Sequence, residues 1–237
     1  MGLFGSRTPE TGPGRHQGER RPALEAAVDG SDDSLITRLV QQVLDYGLDG
    51  VGPFDSAVEV AERARAATSS TDAAIAKVMR RHVAGGSIGG FATGIGGFVT
   101  MPVALPVNVV EFYVQATRMV GAIATLRGYD VQEPRIRSAI LLTLIGSNAE
   151  DVLAKAGLST GGGRMAALAS KQLPPASLII INKAVGFRLL RSVGEKALPK
   201  LGKGVPLIGG AVGAGLDGYL MKKIADHAQA EFPVPVA

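Results

Sequence analysis

The first candidates for acid–base or metal chemistry in this 237-residue chain are three histidines and 21 carboxylates, since there is no cysteine. His16, His82 and His227 are far apart. None belongs to an HExxH pair or to a His/Asp/Glu group at metal-ligand spacing. The missing thiols exclude disulfides, thiolate zinc sites and a cysteine nucleophile, and no GxSxG elbow is present. The stretch 157–164, GLSTGGGR, has the glycines of a phosphate loop but lacks the Lys-Ser/Thr that would hold phosphate and magnesium. The stretch 213–218, GAGLDG, fits GxGxxG, yet no strand pattern precedes it, and close helix packing accounts for its glycines better. No catalytic set, cofactor site or metal site is therefore expected.

Two carboxylates stand out by their surroundings. Glu111, with Asn108 just before it, follows a long uncharged run, and Asp217 sits among Gly215, Leu216 and Gly218. A carboxylate in apolar surroundings is costly unless it is paired. Three readings stay open for Asp217: a polar edge satisfied by nearby backbone, a polar contact between two glycine-rich segments, or an acid catalyst.

The elements that must position these groups are helices. Period-2 alternation is almost absent, while Leu35, Ile36, Leu39, Val40, Val43 and Leu44 form one helical stripe after Ser34, a candidate N-cap, with Gly47 and Gly50 ending it. Further helices are expected over 54–67, 73–83, 108–127, 134–145, 148–158, 165–172, 174–197 and 205–232. Gly128 closes the helix over 108–127, and Pro134 opens the next one at its first turn. Residues 1–33, rich in Gly, Pro, Arg, Glu and Asp, read as a disordered tail without the apolar core of a signal peptide. Met1 to Ser6 fits a myristoylation pattern, but the Ala/Gly/Arg-rich composition has a bacterial character in which that modification is not expected. The expectation is an all-α, single-domain helical bundle over 34–232, with a short tail over 233–237.

Charge and hydropathy are unevenly spread. Residues 1–76 carry seven Lys/Arg against twelve Asp/Glu, a net of −5, and the remainder carries +9, although the whole chain is only +4. Within 152–216 there are nine basic residues and one acid, Glu195. That half suits an anionic partner: a membrane surface or lipid, or a membrane protein. Nucleic acid is not expected, since no aromatic residues interleave the charges for base stacking. Only 19% of residues are charged and the mean hydropathy is +0.21, against about a quarter charged in an ordinary soluble domain. The apolar excess concentrates between His82 and Glu111, where 28 residues carry no charge and include seven glycines, Pro102 and Pro106. The run is long enough to span a bilayer, but its glycines and prolines make a poor spanning helix. It can cross a membrane as a hairpin, insert at a lipid surface or lie buried in the protein. Gly86, Gly90 and Gly94 are four apart and share one helical face. With Gly209 and Gly213 they are the candidate close-packing positions.

Two stretches carry a family resemblance. GGSIGGFATGIGGFVTMPVALPVNVVEFYVQATRMVGAIATLRGYD, over 85–130, is similar to the first signature of the EcsC family. KALPKLGKGVPLIGGAVGAGLDGYLMKKIADHAQAEF, over 196–232, resembles the second, a basic connector leading to a helix that ends in Ala-x-x-x-Phe. The resemblance covers residues 35–232. It implies a mostly bacterial family, commonly treated as membrane-associated, with no established activity, cofactor or catalytic residues. Family members tend to have Asp after the first Pro and Asn in the second glycine-rich segment. Here the corresponding positions are Asn108 and Asp217, an exchange that would keep one acid–amide hydrogen bond.

Together these features lead to an expected cytoplasmic, non-enzymatic protein, peripheral at the membrane. Lys183, Arg188, Arg191, Lys196, Lys200 and Lys203 would face the anionic headgroups. Two other readings stay open: a soluble helical interaction or scaffold module, and an enzyme on a hydrophobic substrate with Glu111 or Asp217 as its acid/base.

Overall fold

The computed structural model describes residues 33–52, 54–85, 107–146, 149–157, 175–197 and 206–234. Eight α-helices and one short π-helix account for nearly all of them, and no strand occurs among the described residues. The all-α expectation is met. The expected helix over 165–172, the basic connector over 198–204 and most of the uncharged run 83–110 lie outside the described residues, as does the N-terminal tail up to residue 32.

Helix α1 (Asp33–Leu44) already contains Asp33 and Ser34, so Ser34 is inside the helix rather than capping it. Its stripe of Ile36, Leu39, Val40, Val43 and Leu44 is buried. The chain does not stop at Gly47 as expected. It widens into a π-helix (Asp45–Asp49) and ends at Gly50, whose φ of 72° is the left-handed conformation that glycine adopts without a Cβ penalty. Gly47 is instead a point of close approach, where an added Cβ would lie 2.7 Å from Thr117 Cβ. The bidentate pair of Arg137 with Asp49, at 2.6 and 3.1 Å, ties the end of the π-helix to the rest of the bundle. Burial alone would raise the Asp49 carboxyl, but the hydrogen bonds and charge of Arg137, with the Gln132 amide, hold it below the usual range.

Helix α2 (Ala57–Ala66) starts three residues later than its apolar pattern suggests, because a capping box fixes its first turn. Glu59 N donates to Ser56 Oγ at 3.1 Å and Ser56 N donates to Glu59 Oε2 at 2.7 Å. Helix α3 (Thr71–Gly85) opens where Ser70 Oγ accepts from Ala73 N. Helix α4 (Val107–Leu126) closes in a Schellman turn: Gly128 N donates to Thr125 O and Tyr129 N to Ala124 O, both at 3.0 Å, with Gly128 at φ 93°. Helix α5 (Pro134–Ile145) begins at its proline as expected and is buried from Ser138 to Leu144. Helices α6 (Ala149–Lys155), α7 (Pro175–Ala197) and α8 (Pro206–Glu231) complete the bundle.

The arrangement is organised around α4, which packs against α1, the π-helix, α2, α3, α5 and α8. Val114, Ala116, Met119, Val120, Ala122, Ile123 and Ala124 are fully buried, so α4 is apolar nearly all round, as a central helix must be. Its hydroxyls are satisfied internally, Thr117 on Tyr113 O and Thr125 on Gly121 O. Helix α7 covers α1 and α5, and Gly186 allows the close approach to α1, since a Cβ there would lie 2.7 Å from Val40 Cγ2.

Candidate functional site

Two polar groups interrupt the central helix. Glu111, two turns before Arg118, is half-buried where α4 meets α8. Burial pushes its carboxyl upward, and the charge of Asp217 on α8 pushes it further in the same direction. Asp217 therefore stands within electrostatic range of Glu111 across this interface. Asn108 lies in the first turn of α4, and its side chain, with the expected Asn108–Asp217 contact, lies outside what is described. Among the described residues no group of three or more His, Cys, Asp or Glu could hold a metal ion.

The second interruption is Arg118, 94% buried by its 6% relative exposure. Its Nη2 donates to Tyr46 O in the π-helix at 2.6 Å, and its guanidinium carbon lies 5.5 Å from the centre of the Phe54 ring. Its Nε is buried without a hydrogen-bond partner. Asp55 is close enough to influence it, but that carboxylate is engaged by Arg63. Arg81, near the end of α3, adds a second positive charge within electrostatic range of Arg118 and Asp55. Sequence reasoning passed over Arg118. Its signal was available: it is the single cation in a 20-residue, mostly apolar helix.

His82 stands beside these two arginines and is itself 7% exposed. Its Nδ1 lies 2.9 Å from Val78 O, and since a carbonyl only accepts, Nδ1 carries the proton of the neutral ring. Burial pulls the ring down to about 4, helped by the charges of Arg118 and Arg81 and opposed by the Val78 bond. The folded value lies below the ordinary histidine value of 6.5, so the stabilising contribution is complete above that pH and is lost as pH falls toward 4. Between pH 7.5 and 4.5 this group should remove about 2–3 kcal/mol of stability. Urea denaturation at the two pH values measures it. His82→Gln should show a pH dependence smaller by that amount, and an unchanged dependence would show that His82 is not buried as a neutral ring.

The predicted basic surface is partly visible. Lys183 and Arg191 are exposed on α7, while Arg188 is half-buried and pairs with Asp151 of α6 at 3.3 Å. Lys196 lies in the last turn of α7 with its side chain outside the description, and Lys200 and Lys203 lie outside the described residues. Of the candidate packing glycines, Gly86, Gly90 and Gly94 also fall outside, and Gly209 and Gly213 lie in the first half of α8. The close-packing glycines that the structure does display are Gly47, Gly186 and Gly121, where a Cβ would lie 2.8 Å from Ala57 Cβ.

The EcsC protein family model matches residues 34–234. The chain belongs to the EcsC family. No curated protein and no solved structure gives a match with it. The two stretches that carry the EcsC resemblance correspond to structural joints. The first ends in α4 and its Schellman turn, the second in α8 and Phe232. Ala228 and Phe232, the ends of the Ala-x-x-x-Phe pattern, are both fully buried and joined by the Phe232 N to Ala228 O bond at 3.0 Å. No helix among the described residues is long and apolar enough to cross a membrane.

Proposed function

We propose that this EcsC protein is a non-enzymatic peripheral protein that docks on an anionic membrane surface, on its cytoplasmic side, through the outer face of α7. The observation that carries the reading is the composition of that face. Ile179 and Ile180 are 57% and 43% exposed, and Lys183 and Arg191 are exposed on the following turns. Ile179, Lys183 and Phe187 are four apart, as are Phe187 and Arg191, so they share one side of the helix. The opposite side, Ile181, Val185 and Leu189, is buried. An exposed apolar stripe bordered by cations matches the chemistry of a headgroup layer, where apolar side chains enter the acyl boundary and each nearby cation contributes about 1 kcal/mol. The excess of basic residues over 152–216 supports the same orientation.

Flotation with phosphatidylglycerol-rich vesicles tests this reading. The full chain should float with them at low salt, float poorly with pure phosphatidylcholine, and be released as salt screens the surface charge. Ile179→Asp combined with Ile180→Asp should reduce the bound fraction roughly tenfold or more. Both side chains are exposed, so the variant should keep the wild-type melting temperature. No flotation of the wild type, or undiminished flotation of the variant, overturns the proposal.

A further inference from the structure

One side of α7 is covered along part of its length and bare along the rest. Gly186 and Ile179 are seven residues apart, two turns of helix, so they lie on the same side about 10 Å apart along the axis. At Gly186 that side is closed by α1, since an added Cβ would lie 2.6 Å from Ile36 Cγ2 and 2.7 Å from Val40 Cγ2. At Ile179 and Ile180 the cover has ended, and both side chains are exposed. An exposed apolar pair bordered by cations is a contact surface. The chain that precedes α1 begins beside it, because Asp33, the first residue of α1, is one turn from Ile36. Residues 22–32, PALEAAVDGSD, hold three acids, Glu25, Asp29 and Asp32, and no base. Helix α7 holds Lys183, Arg188, Arg191 and Lys196 against the single acid Glu195, so the two segments carry −3 and +3. Leu24 and Val28 are four apart, as are Glu25 and Asp29. On a helical turn the segment therefore offers an apolar pair edged by acids to an apolar pair edged by cations. The nine residues from Asp33 back to Leu24 span up to about 30 Å when extended, which covers the two turns between Gly186 and Ile179 with length to spare.

We propose that the acidic segment 22–32 docks on the outer face of α7, over Ile179 and Ile180, and competes there with an anionic membrane surface. An anionic bilayer offers the same chemistry as the segment, negative charge beside an apolar phase, but over a continuous area, so it displaces the segment. The docking stands by itself; only its competition with lipid rests on the function proposed above.

The chain has no cysteine, so an introduced pair reports the docking directly. Full-length Val28→Cys/Ile180→Cys is oxidised at low salt beside Val28→Cys/Gln41→Cys, whose second position is exposed on α1 and closer to Val28 in sequence. The pair at 28 and 180 should form its intramolecular disulfide about fivefold faster or more, since docking raises the local concentration of one position at the other. Adding Glu25→Gln with Asp29→Asn should remove that advantage. Equal rates for the two pairs, or an advantage indifferent to the acids, overturns the docking. So does a dimer linked through position 180 as the main product, which would assign the face to a second copy of the chain. Flotation on phosphatidylglycerol-rich vesicles tests the competition with a charge-neutral variant, Leu24→Ser with Val28→Ser. At limiting lipid its bound fraction should rise about threefold over wild type, because more of the protein presents a bare face. An unchanged or lower fraction overturns the competition. Absence of flotation in every form overturns the membrane function and the competition with it, while the disulfide rates still decide the docking.

Discussion

Phe232→Ala lowers the stability of the protein by about 3–5 kcal/mol, the usual cost of emptying a fully buried aromatic site. Phe232 lies one residue beyond α8, where chain ends are usually frayed and tolerant, yet none of it is exposed. Two contacts hold it and a third holds its neighbour Pro233. Its ring meets Tyr129 edge-on with centroids 5.3 Å apart. Its backbone N donates to Ala228 O at 3.0 Å, and the hydroxyl of Tyr129 donates to Pro233 O at 2.8 Å. Tyr129 itself is locked by the Schellman turn that ends α4, so the ring of Phe232 joins the ends of the two helices that carry Glu111 and Asp217. Truncation to alanine leaves a cavity between two caps that cannot collapse without breaking one of them. Urea denaturation should move the midpoint down by more than 1 M, given slopes of about 2–3 kcal/mol/M for a chain of this size. Phe232→Leu, which keeps most of the volume, should cost less than half as much. A loss below 1 kcal/mol for the alanine variant would mean that the C-terminal segment does not dock as described.

How much of this was legible in the sequence depends on which force decides each element. Helix α5 was readable to the residue, because Pro134 fixes the start and a continuous apolar run leaves no other register. The stripe of α1 and the glycine stop of α4 were readable for the same reason: local pattern and tertiary burial agree. Helix α2 was misplaced at its start, although Ser56 and Glu59 spell a capping box that outweighs the apolar Phe54 before it. Gly47 was misread as a stop because the sequence does not show Thr117, the neighbour that requires a glycine there. Arg118 shows the same limit at the site level. A single cation in an apolar helix was visible, but its anchors, Tyr46 and Phe54, are about seventy residues away in sequence. The basic character of α7 was legible as composition. The pairing of Arg188 with Asp151 was not, since packing sets it.

Gly50→Ala destabilises the protein by about 3 kcal/mol or more, although it adds a single methyl group. Two effects combine. At φ 72° an L-residue pays roughly 1–2 kcal/mol for the left-handed conformation. The new Cβ would also press on rigid backbone, against Ser56 N and within 2.7 Å of Phe54 O. Backbone atoms cannot rotate out of the way as a side-chain tip can, so the 50–56 loop has to shift, at an overpacking cost of about 1–3 kcal/mol. Gly52 supplies an internal control two residues on. Its φ is 74°, nearly the same, but no atom lies within 4 Å of the position its Cβ would take. Gly52→Ala should therefore cost only the conformational part, about 1–2 kcal/mol. The difference between the two variants in urea denaturation isolates the contact. The contact also bears on Arg118, because the loop that must move carries Phe54, whose ring centre lies 5.5 Å from the guanidinium carbon. Equal losses of stability in the two variants would show that the loop yields freely, and would remove the argument that Gly50 holds Phe54 against Arg118.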